Sequence, residues 1–169
     1  DYDGCLRSYH GLANALAATG MYAEAIEQTE IGLKLCQDHQ LWRWVPTLLM
    51  DQAFALRDVG LHEPARTTFL SAIDWSEQIE DTTSLVRCLL GYMVLVGYQV
   101  TSTDHSSLPA FREVYRRAES LAIEARLHPR LIEIYQRAAE LYEKIGMPDR
   151  AAENTELWQR VADQETGST

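Results

Sequence analysis

The chain has 169 residues, 46% of them hydrophobic and 24% charged, with a net charge of −10 from 25 acids against 15 bases. That is enough apolar material to bury a core, and five prolines and nine glycines are too few for a disordered chain. An acidic surface without a continuous basic stripe argues against direct nucleic-acid binding, and no apolar run approaches the ~20 residues of a membrane span.

The N-terminal Asp1-Tyr2-Asp3-Gly4-Cys5 has neither the basic start nor the apolar segment of a signal peptide. It lacks an initiator methionine and enters a helix at once, so a piece of a longer, cytoplasmic protein is expected. Cys5, Cys36 and Cys88 are odd in number and widely spaced, which reads as buried reduced thiols.

The first helix is expected over about Asp3 to Ala18, with Tyr9, Ala13 and Leu16 inward. It stops at Gly20, where a positive φ is easily adopted. A second runs from Tyr22 to about Asp38, with Ala25, Ile26, Thr29 and Leu33 inward. Trp42 and Trp44 follow, either sealing the seam between helix pairs or anchoring a ligand, and the seam is the favoured reading. Pro46 fits the first turn of a third helix reaching Val59. The fourth covers Glu63 to Gln78 and carries Phe69, Ala72, Ile73 and Trp75.

Residues 80–83 form a break with an N-cap. The fifth helix, Thr83 to Tyr98, is apolar nearly all round and should be buried on most faces. Gln99 to Pro109 reads as an inserted solvated loop, with helix resuming at Ala110 and carrying Phe111, Tyr115 and Ala118. His128-Pro129 opens the seventh helix, with Ile132, Tyr135, Ala139 and Tyr142 inward. Pro148 opens the eighth, which carries Ala151, Ala152, Leu157, Trp158 and Val161. Residues 166–169 are a polar tail or linker.

A pattern recurs along this series. A small residue stands seven before a glycine, a large apolar one four before it and an alanine five after it. Ala13, Leu16, Gly20 and Ala25 show it; so do Ala53, Leu56, Gly60 and Ala65, and again Ala139, Tyr142, Gly146 and Ala151. Small residues let two antiparallel helices approach closely, and a hairpin with a second apolar face must stack on a neighbour. The expected architecture is all-α, a right-handed superhelical stack of antiparallel hairpins with about eight helices. Its units are 3–40, 41–80, 81–127 and 128–164 within one domain, 1–165.

With Gly20-Met21-Tyr22, Ala25 and Gly32, and with Ala53, Gly60, Ala65, Phe69 and Ala72, the chain resembles the tetratricopeptide repeat family. Thr29 stands where that family usually has an aromatic. The period of about 40 residues is similar to the extended repeats of kinesin light chain-like scaffolds and of bacterial signalling and regulatory proteins. The resemblance implies a protein- or peptide-binding scaffold module within such a larger protein. The alternative is a ligand-sensing regulatory domain whose groove takes a small signal or peptide and controls an attached output domain.

No catalytic or metal pattern stands out. His62-Glu63-Pro64-Ala65-Arg66 starts like a zinc-protease helix, but Arg66 occupies the place of the second histidine. No enzyme activity, cofactor or metal is expected. In a stack of hairpins the first helix of each pair lines the concave side, and residues one position past the inward ones point into the groove. That rule names His10, Asn14, Met50, Phe54, Leu90 and Val94, with Gln136 and Glu140 toward the C-terminal end and Arg7 and Arg87 on the same side. The expected partner is a protein or peptide, through apolar contact at Met50, Phe54, Leu90 and Val94. Neither nucleic acid nor membrane is expected, and a homodimer stays open.

Overall fold

A computed structural model describes residues 1–167, which contain eight α-helices, one 3-10 turn and no strand. The helices are α1 (Tyr2–Ala18), α2 (Tyr22–His39), α3 (Val45–Asp58), α4 (His62–Gln78), α5 (Thr82–Tyr98), α6 (Leu108–Glu124), α7 (His128–Lys144) and α8 (Pro148–Thr166). The all-α, eight-helix expectation therefore holds. No helix among the described residues is long and apolar enough to cross a membrane. Of the expected polar tail, Thr166 is still helical and Gly167 ends α8 in the left-handed region, while Ser168 and Thr169 lie outside the described residues.

The helix ends share one geometry. Gly20, Gly60 and Gly146 have φ of 80°, 87° and 77°. Each donates its N–H back to a carbonyl three residues earlier, and the next residue donates to one five earlier. Gly60 N to Arg57 O is 3.0 Å and Leu61 N to Leu56 O is 2.9 Å. These bonds satisfy carbonyls that a helix terminus leaves open. Glu80 and Arg126 make the same turn without being glycine, at φ of 55° and 54°, and Gln40 a close variant at 55°, in which its own N–H and that of Leu41 both reach Cys36 O. The chain thus breaks about every 20 residues, by one device, at glycine after α1, α3 and α7 and at a longer side chain after α2, α4 and α6.

Gly60 and Glu80 give opposite expectations for exchange. A Cβ at Gly60 would meet nothing within 4 Å, so Gly60→Ala should lose only the torsional term, about 1–2 kcal/mol. Glu80→Gly removes that term from an exposed site and should be neutral or stabilising by up to ~1 kcal/mol. Urea denaturation of both variants checks the pair of signs.

The chain divides into two compact units, Asp1–Gly91 and Tyr92 onward, with the boundary inside α5. In the first unit α1 packs on α2, α2 on α3 and α3 on α4. Ala25 and Ala65 are buried, as close approach of paired helices requires. Leu6, Cys36, Val45 and Leu48 form one core cluster, with Tyr9, Trp44 and Trp75 against it. Trp44 Nε1 donates to Asp3 Oδ1 at 2.8 Å, Arg43 donates to the other oxygen of Asp3, and Trp42 stacks on Trp75 at 5.4 Å. Trp44 therefore serves the seam, whereas Trp42 covers Trp75 and stays 38% exposed. Asp81 caps α5, accepting from Ser84 N at 3.0 Å. Cys36 and Cys88 are buried as expected, whereas Cys5 is exposed.

In the second unit α7 packs on α8 and on α6. The loop before α6 is tied to itself: Thr101 N donates to Asp104 O and Asp104 N to Thr101 Oγ1, each at 2.9 Å. Val100 anchors it in the core. Helix resumes at Leu108, two residues before the expected start, with Pro109 in the first turn. On α7 the buried stripe is Leu131, Ile134, Tyr135, Ala138, Leu141 and Tyr142. The expected Ile132 and Ala139 are only half-buried, as is Ala151 on α8. The pattern i, i+3, i+4, i+7 centred on Leu131 outweighs the position Ala139 shares with Ala13 and Ala53.

Candidate functional site

The first unit gathers polar groups from three helices. His10 and Asn14 lie one turn apart on α1, Asp51 is on α3 and Arg87 on α5. His10 Nδ1 donates to Asp51 Oδ2 at 2.5 Å, and Asn14 Nδ2 donates to the His10 carbonyl at 3.1 Å. The Asp51 side chain is 3% exposed and that of His10 29%. Burial pushes the Asp51 carboxyl up, opposed by the imidazole beside it; the hydrogen bond to Asp51 raises His10. Arg87 makes no ion pair within 4 Å among the described residues, but its positive charge acts on both groups. Sequence reading named His10, Asn14 and Arg87 and missed Asp51, the group they surround. A single acid on an otherwise apolar stretch of α3 was the signal available.

This cluster pins α1 to α3, and it has a pH signature. With the His10 pKa raised in the folded state, stability from the pair is full below the unfolded imidazole value of 6.5 and is lost as pH rises through the folded value. The raised Asp51 carboxyl has the same sign, since the folded state holds protons more firmly. The thermal midpoint should therefore fall as pH is raised from about 6.5, and Asp51→Asn should flatten that slope. A midpoint that rises over this range in the wild-type chain would show the pair uncoupled from folding.

The other groove candidates separate. Arg7 is exposed, but Met50 and Leu90 are 5% and 6% exposed and offer almost nothing to a ligand. For α3 the reason is position: α1, α2 and α4 all pack on it, so this register position is covered there. Phe54 is half-buried, edge-on to Phe69 at 5.3 Å, with the Arg57 guanidinium 4.9 Å from its ring. Gly91 is what admits these rings, since a Cβ there would stand 2.6 Å from Phe69. Phe54 is thus largely a packing residue.

Val94 belongs to the second unit and lines a notch of about 140 Å³. Met93, Val94 and Gly97 of α5, Phe111 of α6 and Leu141 of α7 make its apolar floor. Phe111 is held edge-on to Tyr142 at 6.0 Å. Tyr98, Arg137, Glu140 and Lys144 form the rim. Tyr98 is 57% exposed, with Lys144 Nζ 5.9 Å from its ring, and Arg137 donates to Glu140 at 3.0 Å. The rim thus has two cations and one acid. The groove rule named Val94 and Glu140 here; the other lining residues escaped it, although an exposed tyrosine ending an apolar helix marks the place.

Among the described residues, no three His, Cys, Asp or Glu side chains converge as metal ligands would. No protein-family model matches the chain, and a search of curated proteins finds no match.

Proposed function

We propose that the chain is a peptide-binding interaction module of the tetratricopeptide type, part of a larger cytoplasmic bacterial regulator, and that the notch of the second unit is its contact point. The observation that carries this reading is the notch itself: an apolar concavity opening on half-buried Val94, backed by the nearly covered Met93, Phe111 and Leu141, beside an exposed aromatic and two cations. Exposed apolar concavities ringed by polar groups suit partner side chains. The volume takes one large apolar side chain, and Lys144 and Arg137 suit an aspartate or glutamate beside it. The repeated helix ends at Gly20, Gly60 and Gly146 support the family resemblance.

Panning a random-peptide library on the folded chain tests the proposal, with Val94→Arg as the counter-screen. Recovered peptides should carry a leucine- or phenylalanine-sized residue next to an acid. They should bind the variant at least tenfold more weakly, within the ~1–3 kcal/mol typical of an apolar anchor. Peptides that bind Val94→Arg equally well would place the contact elsewhere.

A further inference from the structure

The second unit also holds a cavity of a different chemistry, and none of the helix-packing roles above uses it. Its volume is about 190 Å³, and its wall carries Arg112 and Arg116 from α6 with Arg150 and Glu153 from α8. Three guanidinium groups line it against the Glu153 carboxylate, with the Glu119 carboxylate behind Tyr115 as a second acid, which still leaves a local excess of positive charge on a chain whose net charge is −10. Arg150 is partly neutralised, donating to Glu153 at 2.8 Å. Arg112 and Arg116 have no ion pair within 4 Å among the described residues. They stand at i and i+4 on one helix face, where like charges repel.

The polar floor cannot relieve them. The Tyr115 hydroxyl is shared between Asn154 Oδ1 at 3.0 Å and Glu119 Oε1 at 3.2 Å, and Asn154 Nδ2 donates to the Arg150 carbonyl at 2.9 Å. Asn154 is itself buried, so these groups are committed to holding α6 against α8. What the cavity lacks is an acceptor with several oxygens. Guanidinium forks match phosphoryl oxygens two at a time, and a dianion between two of them removes their repulsion.

We propose that this cavity binds the phosphoryl group of a small phosphate monoester, with Arg112 and Arg116 as the principal donors and Arg150 as the third. A nucleic-acid backbone fits poorly, because the concavity is single and the chain around it is strongly acidic. This site is independent of the peptide notch: it shares no lining residue with it.

Titration with inorganic phosphate and with phenyl phosphate, followed by the arginine side-chain N–H resonances, tests the assignment at fixed ionic strength. Saturable shifts are expected at Arg112 and Arg116. Arg112→Gln and Arg116→Gln should each weaken binding about tenfold, a typical loss for one charge-assisted contact. Neither should move the thermal midpoint of the free protein downward, since each relieves a repulsion. Glu153→Gln frees Arg150 and should tighten binding several-fold. The proposal is overturned by shifts that stay linear in phosphate concentration, by equal affinity in the two arginine variants, or by weaker binding in Glu153→Gln.

Discussion

Ala65→Arg should unfold the first unit at a midpoint about 10 °C or more below the wild type. Ala65 has no exposed surface and stands where α4 meets α3. An arginine there must either force the helices apart, at about 1–3 kcal/mol, or bury a charge without a partner, at about 3–5 kcal/mol. At roughly 2–4 °C per kcal/mol for a chain of this size, a loss of ~4 kcal/mol accounts for the shift. Ala25→Arg should behave alike between α1 and α2. Ala15→Arg, on an exposed face of α1, should stay within about 0.5 kcal/mol of wild type. Calorimetry on the three variants checks the contrast, and a normal midpoint for Ala65→Arg would mean that the helix pairing is misassigned.

The second large effect lies at the pinned pair, and it is asymmetric. His10→Ala leaves the Asp51 carboxylate nearly sealed from water, with Arg87 as the remaining cation nearby. Breaking a buried pair from this side should cost about 2–4 kcal/mol at neutral pH, below the full burial penalty because Asp51 can take up a proton. Asp51→Asn removes the desolvated charge and keeps the shape. His10, partly exposed, can then simply deprotonate, so the cost should stay under ~1 kcal/mol. Urea denaturation at pH 7 measures both. A larger loss for Asp51→Asn than for His10→Ala would mean that the ion pair is itself the main source of stability.

The fold was legible because its punctuation is local. Gly20, Gly60 and Gly146 each mark a helix end that needs positive φ, and Pro46, Pro109, Pro129 and Pro148 each sit in a first helical turn. The ends at Gln40, Glu80 and Arg126 were harder to see, since nothing in those side chains signals a left-handed turn. There the hydrogen bonds of the helix end prevail over residue preference. The site was less legible for a different reason. A helical register names the residues on one face, and so it named His10, Asn14 and Arg87, which stand around Asp51, and Val94, which lines the notch. It cannot say what covers that face, and so it also named Met50 and Leu90, which are buried. Asp51 was passed over because the rule asks for exposed positions, and this carboxylate functions by being buried.

The most direct test of the central claim is methyl nuclear magnetic resonance of the wild-type chain titrated with short peptides carrying Leu-Glu or Phe-Asp. The account predicts saturable shifts of Met93, Val94 and Leu141 methyls, with Leu48 in the first-unit core unmoved. Lys144→Glu should weaken those shifts for the acidic peptides and not for their neutral Leu-Gln or Phe-Asn counterparts. Shifts absent from the Met93, Val94 and Leu141 methyls at saturating peptide, or equally large in Val94→Arg, would contradict it.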